Sequence, residues 1–270
     1  MVEIIAHRGA RSLAPENTLA AARRAWELGA HRWETDVTLT RDGHLVLFHD
    51  ATLSRCTDAP ARFGYPVPAG AVTAEDTLIR YTLAELQTLD LGSVFISKDP
   101  FSTIARGRIR DQDLAAFRGE QIPTLEQGLL LTRDLDFKIN IELKDHGNEP
   151  VPFFLAARTL ETIRKTGIPL EKVVISSFNH DWLQWVNQNL SIEIQALVGN
   201  DDVLPLDFKD FSFPVYNANA RLITPSQMEE LKARGKRINL FTINDPQAFA
   251  RFVAAGADGI FTDFPQRFIR

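Results

Sequence analysis

The sequence has little cysteine, no long apolar run and no surplus of positive charge. Cys56 is the single cysteine in 270 residues, which excludes an intrachain disulfide framework and favours a reducing compartment. No window approaches the roughly 20 apolar residues that a membrane-spanning helix needs, and the amino terminus has no basic segment followed by an apolar stretch. We therefore expect a cytoplasmic protein that has neither an integral membrane segment nor a secretory signal.

The formal net charge is −5, whereas proteins that bind nucleic acid usually carry a basic surplus. The charge therefore argues against a nucleic-acid partner, but it leaves room for a local basic pocket that binds a small phosphorylated molecule. Hydrophobic residues make up 44% of the chain and charged residues 24%, which fits one large domain or two small ones. The sequence leaves the oligomeric state open.

Short apolar runs alternate with helical patterns along most of the chain. Strands are expected at 2–7, 33–38, 138–143, 172–176, 193–198, 213–217, 238–242 and 259–262. Helices are expected at 17–29, 124–133, 152–167, 180–189, 225–234 and 246–255. This alternation predicts an α/β fold with a parallel sheet, and eight strands in about 250 residues match a closed (β/α)₈ TIM barrel. An open doubly wound sheet is the alternative, but no Gly-x-Gly-x-x-Gly follows the first strand.

Two segments do not fit the simple alternation. An additional strand at 45–48 follows a link that is too short for a parallel crossover, so we expect a hairpin arm that ends at His49 and Asp50. Residues 51–120 then interrupt the pattern, and a connection of this length predicts a lid or small subdomain inserted into a single barrel domain spanning 1–270. Phe95, Phe101 and Phe117 are expected to form a small core of this insertion.

Helix starts are marked by polar residues that suit capping positions. Asn17 is expected to cap the first helix, and Asp245 opens the last one. Thr124 and Gln127 have the spacing of a capping box.

Carboxylates recur at alternate positions of two predicted strands. Glu34 and Asp36 point to one face of their strand, and Glu142 lies between Asn140 and Lys144 on the polar face of another. Three carboxylates on strand faces are costly to desolvate unless positive charge lies among them. An all-oxygen ligand set favours Mg²⁺ or Ca²⁺ over zinc. The alternative is a structural ion network of the three carboxylates with Arg8 and Lys144 inside the barrel.

Further polar residues end strands at the carboxyl side of the predicted barrel, where barrel enzymes place their active sites. They are His7, Arg8, His49, Lys144 and Asn244. Two histidines can act as acid and base near neutral pH, and basic side chains can bind phosphoryl oxygens. This set favours phosphoryl chemistry, although His7 taken alone would be read as a buried, hydrogen-bonded histidine. A metal-dependent amidohydrolase is disfavoured because the first strand ends in His7-Arg8-Gly9 rather than His-x-His.

The motifs together resemble the glycerophosphodiester phosphodiesterase family over nearly the whole chain. In chain order they are His7-Arg8-Gly9, Pro15-Glu16-Asn17-Thr18, Glu34-Thr35-Asp36-Val37, Asp42-Gly43, His49-Asp50, Ile122-Pro123-Thr124-Leu125-Glu126, Ile141-Glu142-Leu143-Lys144, Ser176-Ser177-Phe178 and Thr262-Asp263-Phe264-Pro265. The linked set is specific, whereas its separate pieces are not.

The resemblance implies a (β/α)₈ barrel with a small insertion after the His-Asp pair and a glycerophosphodiester as substrate. It implies that His7 and His49 are the general acid and base and that Arg8 and Lys144 contact the phosphate. It also implies that an acidic trio binds Ca²⁺ or Mg²⁺, and the residues at these positions are Glu34, Asp36 and Glu142. The implied reaction yields sn-glycerol 3-phosphate and an alcohol, through a cyclic phosphate as in the phosphatidylinositol-specific phospholipases C.

One position departs from the family pattern. The family often has tryptophan before the threonine of the penultimate strand, where this chain has Phe241. Phe241 can still provide an aromatic wall, and we expect it and Asn244 to contact the substrate.

Two other functions stay open. A lysophospholipase D-like enzyme would need an apolar groove at the insertion. A non-catalytic barrel that binds phosphodiesters is disfavoured because both histidines and all three carboxylates are present.

Overall fold

The computed structural model describes residues 2–66, 72–147, 151–200 and 203–269. Within these ranges a nine-stranded sheet contains β1 (Glu3–Ala6), β2 (Arg32–Leu39), β3 (Leu45–Leu47), β4 (Ile139–Leu143), β5 (Val173–Ser177), β6 (Glu193–Val198), β7 (Val215–Asn219), β8 (Arg237–Phe241) and β9 (Gly259–Thr262). All neighbouring pairs are parallel except β2 with β3. Because β1 pairs with both β2 and β9, the parallel strands close into a barrel, and the TIM-barrel prediction is confirmed.

Ten α-helices occur in the described parts of the chain. They are α1 (Leu19–Glu27), α2 (Ala59–Phe63), α3 (Leu83–Leu86), α4 (Leu91–Lys98), α5 (Asp111–Phe117), α6 (Leu125–Asp134), α7 (Phe154–Thr166), α8 (His180–Asn189), α9 (Pro225–Ala233) and α10 (Pro246–Ala254). None of the described helices is long and apolar enough to cross a bilayer. The cytoplasmic location stays a prediction.

The helix caps follow the sequence at two of the three starts that we named. Thr124 and Gln127 form the capping box of α6, and the Asp245 side chain accepts a hydrogen bond from the Ala248 amide at the start of α10. The prediction that Asn17 caps α1 is wrong. Thr18 is the cap, because Asn17 has a left-handed φ of 57° and its side chain is used inside the barrel instead.

Alternation along the strands separates the packing face from the polar face. Trp33, Ile139 and Ile141 are fully buried in the main core, and the Trp33 indole donates to Thr132 Oγ1 of α6 at 2.9 Å. Each such large apolar side chain contributes roughly 1.5–3 kcal/mol by leaving water. The opposite parity turns Glu34 and Asp36 inward, as predicted, and the parallel register sets Asp36 beside Glu142.

The hairpin arm and the insertion lie beside this barrel. β3 pairs antiparallel with β2, with Val37 opposite Leu47, so the predicted hairpin is confirmed. The chain between β3 and α6 then contains α2 to α5. Phe95 and Phe117 pack edge-to-face at 6.1 Å in a small core that also includes residues of the β1–α1 segment and α1, whereas Phe101 packs instead against Phe264 at 5.4 Å. That 51–120 acts as a lid stays a prediction.

Candidate active site

A cavity of about 160 Å³ opens at the carboxyl ends of the barrel strands. It is lined by His7, Arg8, Glu34, His49, Glu142, Lys144, Ser176, Phe178, Leu197, Asn200, Phe241, Thr242 and Phe261. The lining therefore includes every predicted site residue except Asp36 and Asn244. Both of these lie directly behind it, because Asp36 pairs with Arg8 and Asn244 bonds the partner of His7.

The three carboxylates of β2 and β4 meet at the base of this cavity. Ligand atoms of Glu34, Asp36 and Glu142 lie within 4.8 Å of one another, and the first two residues are almost completely buried. Burial, together with the neighbouring charges of Asp36 and Glu142, raises the pKa of Glu34 well above its usual value. Like charges this close destabilise the fold unless something positive shares the site.

The donor set fits a hard divalent cation. Glu34 Oε2 accepts the Arg8 amide at 2.8 Å, but Glu34 Oε1 is buried and has no hydrogen-bond partner among the described residues. An orphaned buried carboxylate oxygen beside two further carboxylates is the arrangement that Mg²⁺ or Ca²⁺ satisfies through oxygen ligands. The acidic trio could therefore hold a cation, and the geometry leaves the choice between the two ions open.

Two basic side chains adjoin the trio. Arg8 Nε lies 3.3 Å from Asp36 Oδ2, and Lys144 Nζ lies 2.6 Å from Glu142 Oε1. Burial alone would raise the pKa of Asp36, but His49, Arg8 and Lys144 hold it well below its usual value. Because Arg8 and Lys144 also line the cavity, they can present positive charge to an anionic ligand.

Arg8 reaches this position through an unusual backbone turn at the end of β1. Arg8 has a φ of 56° and Gly9 a φ of 76°. A Cβ at position 9 would lie 2.6 Å from the backbone of Ala21 in α1, so only glycine fits there. The close contact between this turn and α1 fixes the direction of the Arg8 amide and side chain.

His7 is held by an aspartate at the end of the last barrel strand. Its Nδ1 lies 2.7 Å from Asp263 Oδ1, and the other oxygen of Asp263 accepts from Asn244 Nδ2 at 2.7 Å. Burial and the adjacent Arg8 together lower the pKa of His7 to about 4, although the hydrogen bond and charge of Asp263 act to raise it. The pKa of Asp263 is about 2: burial alone would raise it, but the hydrogen bond to His7 outweighs burial. Near neutral pH His7 is therefore uncharged, with its proton on Nδ1, and no residue in the described ranges forms a hydrogen bond with its Nε2.

Asn244 supports Asp263 through both ends of its amide. Its Oδ1 accepts the Asp263 amide at 2.9 Å and the Thr262 hydroxyl at 3.1 Å. The structure thus places Asn244 behind His7, and its contact with a substrate stays a prediction.

His49 has the same kind of partner. Its Nδ1 lies 2.5 Å from Asp50 Oδ1 at the end of the hairpin arm. Hydrogen bonds from His49 and Arg55 outweigh burial and lower the pKa of Asp50 to about 2, so this carboxylate is an acceptor and Nδ1 is the donor. The two histidines therefore share one arrangement, in which an aspartate fixes Nδ1 and leaves Nε2 for chemistry.

An aromatic wall completes the cavity. Phe241 packs edge-to-face against Phe178 at 6.0 Å and against Phe261 at 6.5 Å, and all three line the cavity. An apolar wall opposite a charged base suits a ligand with a carbon chain and an anionic group.

Reasoning from the sequence missed four residues of this site. Asp50 ends the hairpin arm and Asp263 directly follows the last strand. Because barrel enzymes place their active sites at the carboxyl ends of strands, that rule could have identified both residues. The sequence predicts Asn17 as a helix cap, but its amide bonds Asp36 Oδ2 at 2.9 Å. Glu16, which bonds Arg8 at 2.8 Å, stands in the Pro15-Glu16-Asn17-Thr18 motif, but the sequence assigned it no role in the site.

Comparisons with known proteins identify the family of the chain. Residues 7–267 match the model of the glycerophosphoryl diester phosphodiesterase family. A glycerophosphodiester phosphodiesterase of Caldanaerobacter subterraneus subsp. tengcongensis is 34% identical over 98% of this chain and 96% of its own length. One of Bacillus altitudinis is 30% identical over 100% and 98%.

Solved structures show the same fold. An Oleispira antarctica phosphodiesterase in complex with the product sn-glycerol-3-phosphate has a TM-score of 0.74 and 26% identity over 98% of this chain and 94% of that chain. A protein of Silicibacter pomeroyi has a TM-score of 0.80 at 24% identity, over 99% of this chain and 91% of that chain, which shows the fold alone. The chain therefore belongs to the glycerophosphoryl diester phosphodiesterase family, and as a member of that family it is a phosphoric diester hydrolase.

Proposed function

We propose that the chain hydrolyses glycerophosphodiesters to sn-glycerol 3-phosphate and an alcohol, with a divalent cation and two histidines as general base and general acid. The observation that carries this proposal is the convergence of His7 and His49, each fixed at Nδ1 by an aspartate, on one cavity that also contains the acidic trio. The Oleispira antarctica relative binds sn-glycerol-3-phosphate, and we transfer that product to this chain.

Glu34, Asp36 and Glu142 would hold the cation, because their ligand atoms converge and one buried oxygen lacks a partner. When bound, Mg²⁺ or Ca²⁺ neutralises charge on phosphoryl oxygens and makes a neighbouring hydroxyl more acidic. Arg8 and Lys144 bind the phosphate from the sides of the cavity. Phe241 packs against the carbon atoms of the glycerol.

His7 is the base in this scheme, because it is uncharged near neutral pH and its Nε2 is free. It takes the proton of the glycerol 2-hydroxyl, whose oxygen then forms a bond to phosphorus. The bond from phosphorus to the alcohol oxygen breaks. A His49 ring with a proton on both nitrogens gives its Nε2 proton to that oxygen and keeps the Nδ1 proton that faces Asp50. Water then opens the cyclic phosphate, with His49 as the base and His7 as the acid, which restores both histidines.

A lysophospholipase D-like activity would require space for an acyl chain. An apolar cavity of about 200 Å³ lies between α4 and the β1–α1 segment, with Val94, Phe95 and Phe101 in its lining. Glu16 and Arg55 also line it, and they bond each other and bond Arg8 and Asp50 of the active site. This ion pair lies between the two cavities, which favours small alcohols over lysophospholipids as leaving groups.

The test is release of sn-glycerol 3-phosphate from glycerophosphocholine after metal is removed with EDTA and Ca²⁺ or Mg²⁺ is added back. We expect added metal to restore release, and His49→Ala to lower it about 100- to 10,000-fold. The matched control is His44→Ala, since His44 is exposed on the β2–β3 turn. Folded protein that releases no product with either ion would contradict the proposal, and faster turnover of lysophosphatidylcholine would favour the second activity.

The cyclic intermediate is tested separately. Single-turnover reactions stopped at early times should contain cyclic glycerol phosphate, identified by ³¹P NMR. Product that forms with no cyclic phosphate at any time would exclude this course and leave hydrolysis itself intact.

A further inference from the structure

Each aspartate that fixes a histidine is itself held by an arginine. Arg55 Nε donates to Asp50 Oδ2, and Arg55 Nη2 lies 3.1 Å from Asp50 Oδ1. On the other side of the cavity, Arg11 Nη1 lies 3.6 Å from Asp263 Oδ1. The hydrogen bonds from Arg55 orient the Asp50 carboxylate, whereas Arg11 acts on Asp263 through its charge, because 3.6 Å is too long for a hydrogen bond.

Both arginines meet on one carboxylate. Arg55 donates to Glu16 through Nη1 at 3.0 Å and Nη2 at 2.6 Å, and Arg11 Nη2 lies 2.6 Å from Glu16 Oε2. Arg8, which lines the active-site cavity, donates to Glu16 Oε1 at 2.8 Å. Three guanidinium groups therefore share the Glu16 carboxylate, whose side chain is only 13% exposed.

These contacts form a continuous connection between the two histidines, which we call the carboxylate bridge. Its members in order are Asp50, Arg55, Glu16, Arg11 and Asp263. They come from the end of the hairpin arm, the start of the insertion, the β1–α1 segment and the end of β9. The bridge thus joins segments that are far apart in the sequence and that carry the two proposed catalytic groups.

We propose that Glu16 is a positioning residue that holds His7, His49 and Arg8 in their catalytic orientation through this bridge, without touching the substrate itself. The inference rests on the proposed two-histidine function and adds to it a residue of the Pro15-Glu16-Asn17-Thr18 motif and a residue of the insertion, Arg55. Through Arg55, the insertion then contributes to the active site in addition to its predicted role as a lid.

The physical reason lies in the charge at the junction. Without the Glu16 carboxylate, three buried or half-buried guanidinium groups would face one another with no shared counterion. Repulsion would move Arg55 and Arg11 apart, and each would change the direction of the aspartate that it holds. A histidine whose Nδ1 partner has moved can change its tautomer or its ring orientation.

The decisive variant is Glu16→Gln, which keeps the size of the side chain and removes its charge. We expect kcat to fall about 10- to 100-fold with a smaller change in KM, and Glu16→Asp to recover part of the loss. The matched control is Glu126→Gln, because Glu126 pairs with Lys165 on the exposed face of α6 and lies outside the bridge. The control is expected to keep kcat within about twofold of wild type.

Ring-nitrogen NMR provides the readout that a merely structural role would not move. In ¹⁵N-histidine-labelled protein, long-range ¹H–¹⁵N spectra report the tautomer of each of the six histidines. Glu16→Gln is expected to shift the ring signals of both His7 and His49, whereas Arg55→Gln is expected to shift those of His49 and leave those of His7 near wild type. The signals of His31 and His44 serve as internal controls.

Three results decide the proposal. Unchanged ring signals of both histidines in Glu16→Gln would overturn it, even if turnover fell, and so would wild-type kcat in that variant. If Glu16→Gln does not fold, the same measurements on Glu16→Asp and Arg55→Gln apply the same criteria. Full activity of His7→Ala and His49→Ala would contradict the two-histidine function. Unchanged ring signals in Glu16→Gln would contradict the carboxylate bridge, so the two failures can be told apart.

Discussion

The two ends of the barrel use charged side chains in different ways. At the amino ends of the strands, Arg237 pairs with Glu193, and Lys232 pairs with Asp258, so each positive charge has one carboxylate. At the carboxyl ends, ligand atoms of Glu34, Asp36 and Glu142 lie within 4.8 Å of one another. Their neighbouring cations are Arg8 and Lys144, and Arg8 also pairs with Glu16. At the amino ends each positive side chain is neutralised by one carboxylate. At the carboxyl ends the three carboxylates outnumber their two neighbouring cations, so negative charge is in excess.

This difference separates stability from function within one fold. Exposed one-to-one pairs contribute at most about 1 kcal/mol and can be lost at little cost. Buried like charges oppose folding, so a protein retains them where they bind something. The acidic trio therefore lies at the end of the barrel where we propose that a cation binds, although both ends are built from the same strands.

The largest expected effect comes from a substitution within the trio. Glu34→Gln keeps the shape of the side chain but removes a cation ligand, so we expect kcat/KM to fall about 100-fold or more. The counterpart at the amino end, Glu193→Gln, is expected to stay within about twofold of wild type. Steady-state release of sn-glycerol 3-phosphate measures both, and equal losses in the two variants would remove the distinction between the ends.

Cation binding to the acidic trio should stabilise the folded protein. At a concentration of 100 times the dissociation constant, a bound ion adds about 2.7 kcal/mol, which raises Tm by about 5 °C in a chain of this size. Thermal unfolding with EDTA, Ca²⁺ or Mg²⁺ measures this shift. We expect it in wild type and in Glu193→Gln and expect its loss in Glu34→Gln; a full shift in Glu34→Gln would place the ion elsewhere.

In the absence of metal, Glu34→Gln should increase the stability of the folded protein. Removing one of three buried like charges should make metal-free Glu34→Gln about 1–2 kcal/mol more stable than wild type. Glu193→Gln loses a pair with Arg237 and should be up to about 1 kcal/mol less stable. Urea unfolding in EDTA measures both values, and a destabilised Glu34→Gln would mean that the trio is a structural network.

The smallest effect is expected at Cys56, beside the bridge. Burial raises the pKa of this thiol to about 12, so the thiolate is scarce at neutral pH despite the nearby Arg55. Alkylation by iodoacetamide should be slow at pH 7 and accelerate about tenfold per pH unit as the thiol ionises, and Cys56→Ser should keep wild-type turnover. Complete labelling within minutes at pH 7 would contradict this.

The sequence predicted the barrel and the hairpin arm because hydrophobic periodicity is a local property. It also placed Glu34 and Asp36 on one face, since alternate residues of a strand always share a face. It placed the last barrel strand but one at 238–242, one residue from the observed Arg237–Phe241, and it placed β7 at 213–217 instead of Val215–Asn219, because strand ends depend on pairing partners.

The site residues that the sequence did not reveal are those whose role depends on distant partners. Asp263 bonds His7 across 256 positions, and no local pattern reports such a contact. The neighbours of Asn17 suit a helix start and predict it as a cap, but its amide donates to the inward-facing Asp36 and Thr18 is the cap instead.

The sequence by itself determined the fold class and the faces of the strands, because periodicity is written along the chain. It also singled out the two histidines and three carboxylates as candidates, because their chemistry can be read from residue type. Only the tertiary structure decided that Asp36 lies beside Glu142, that an aspartate holds each histidine, and that Glu16 joins them. The physical reason is that register and closure of the barrel bring these groups together from segments that share no local interaction, and charge then selects their partners.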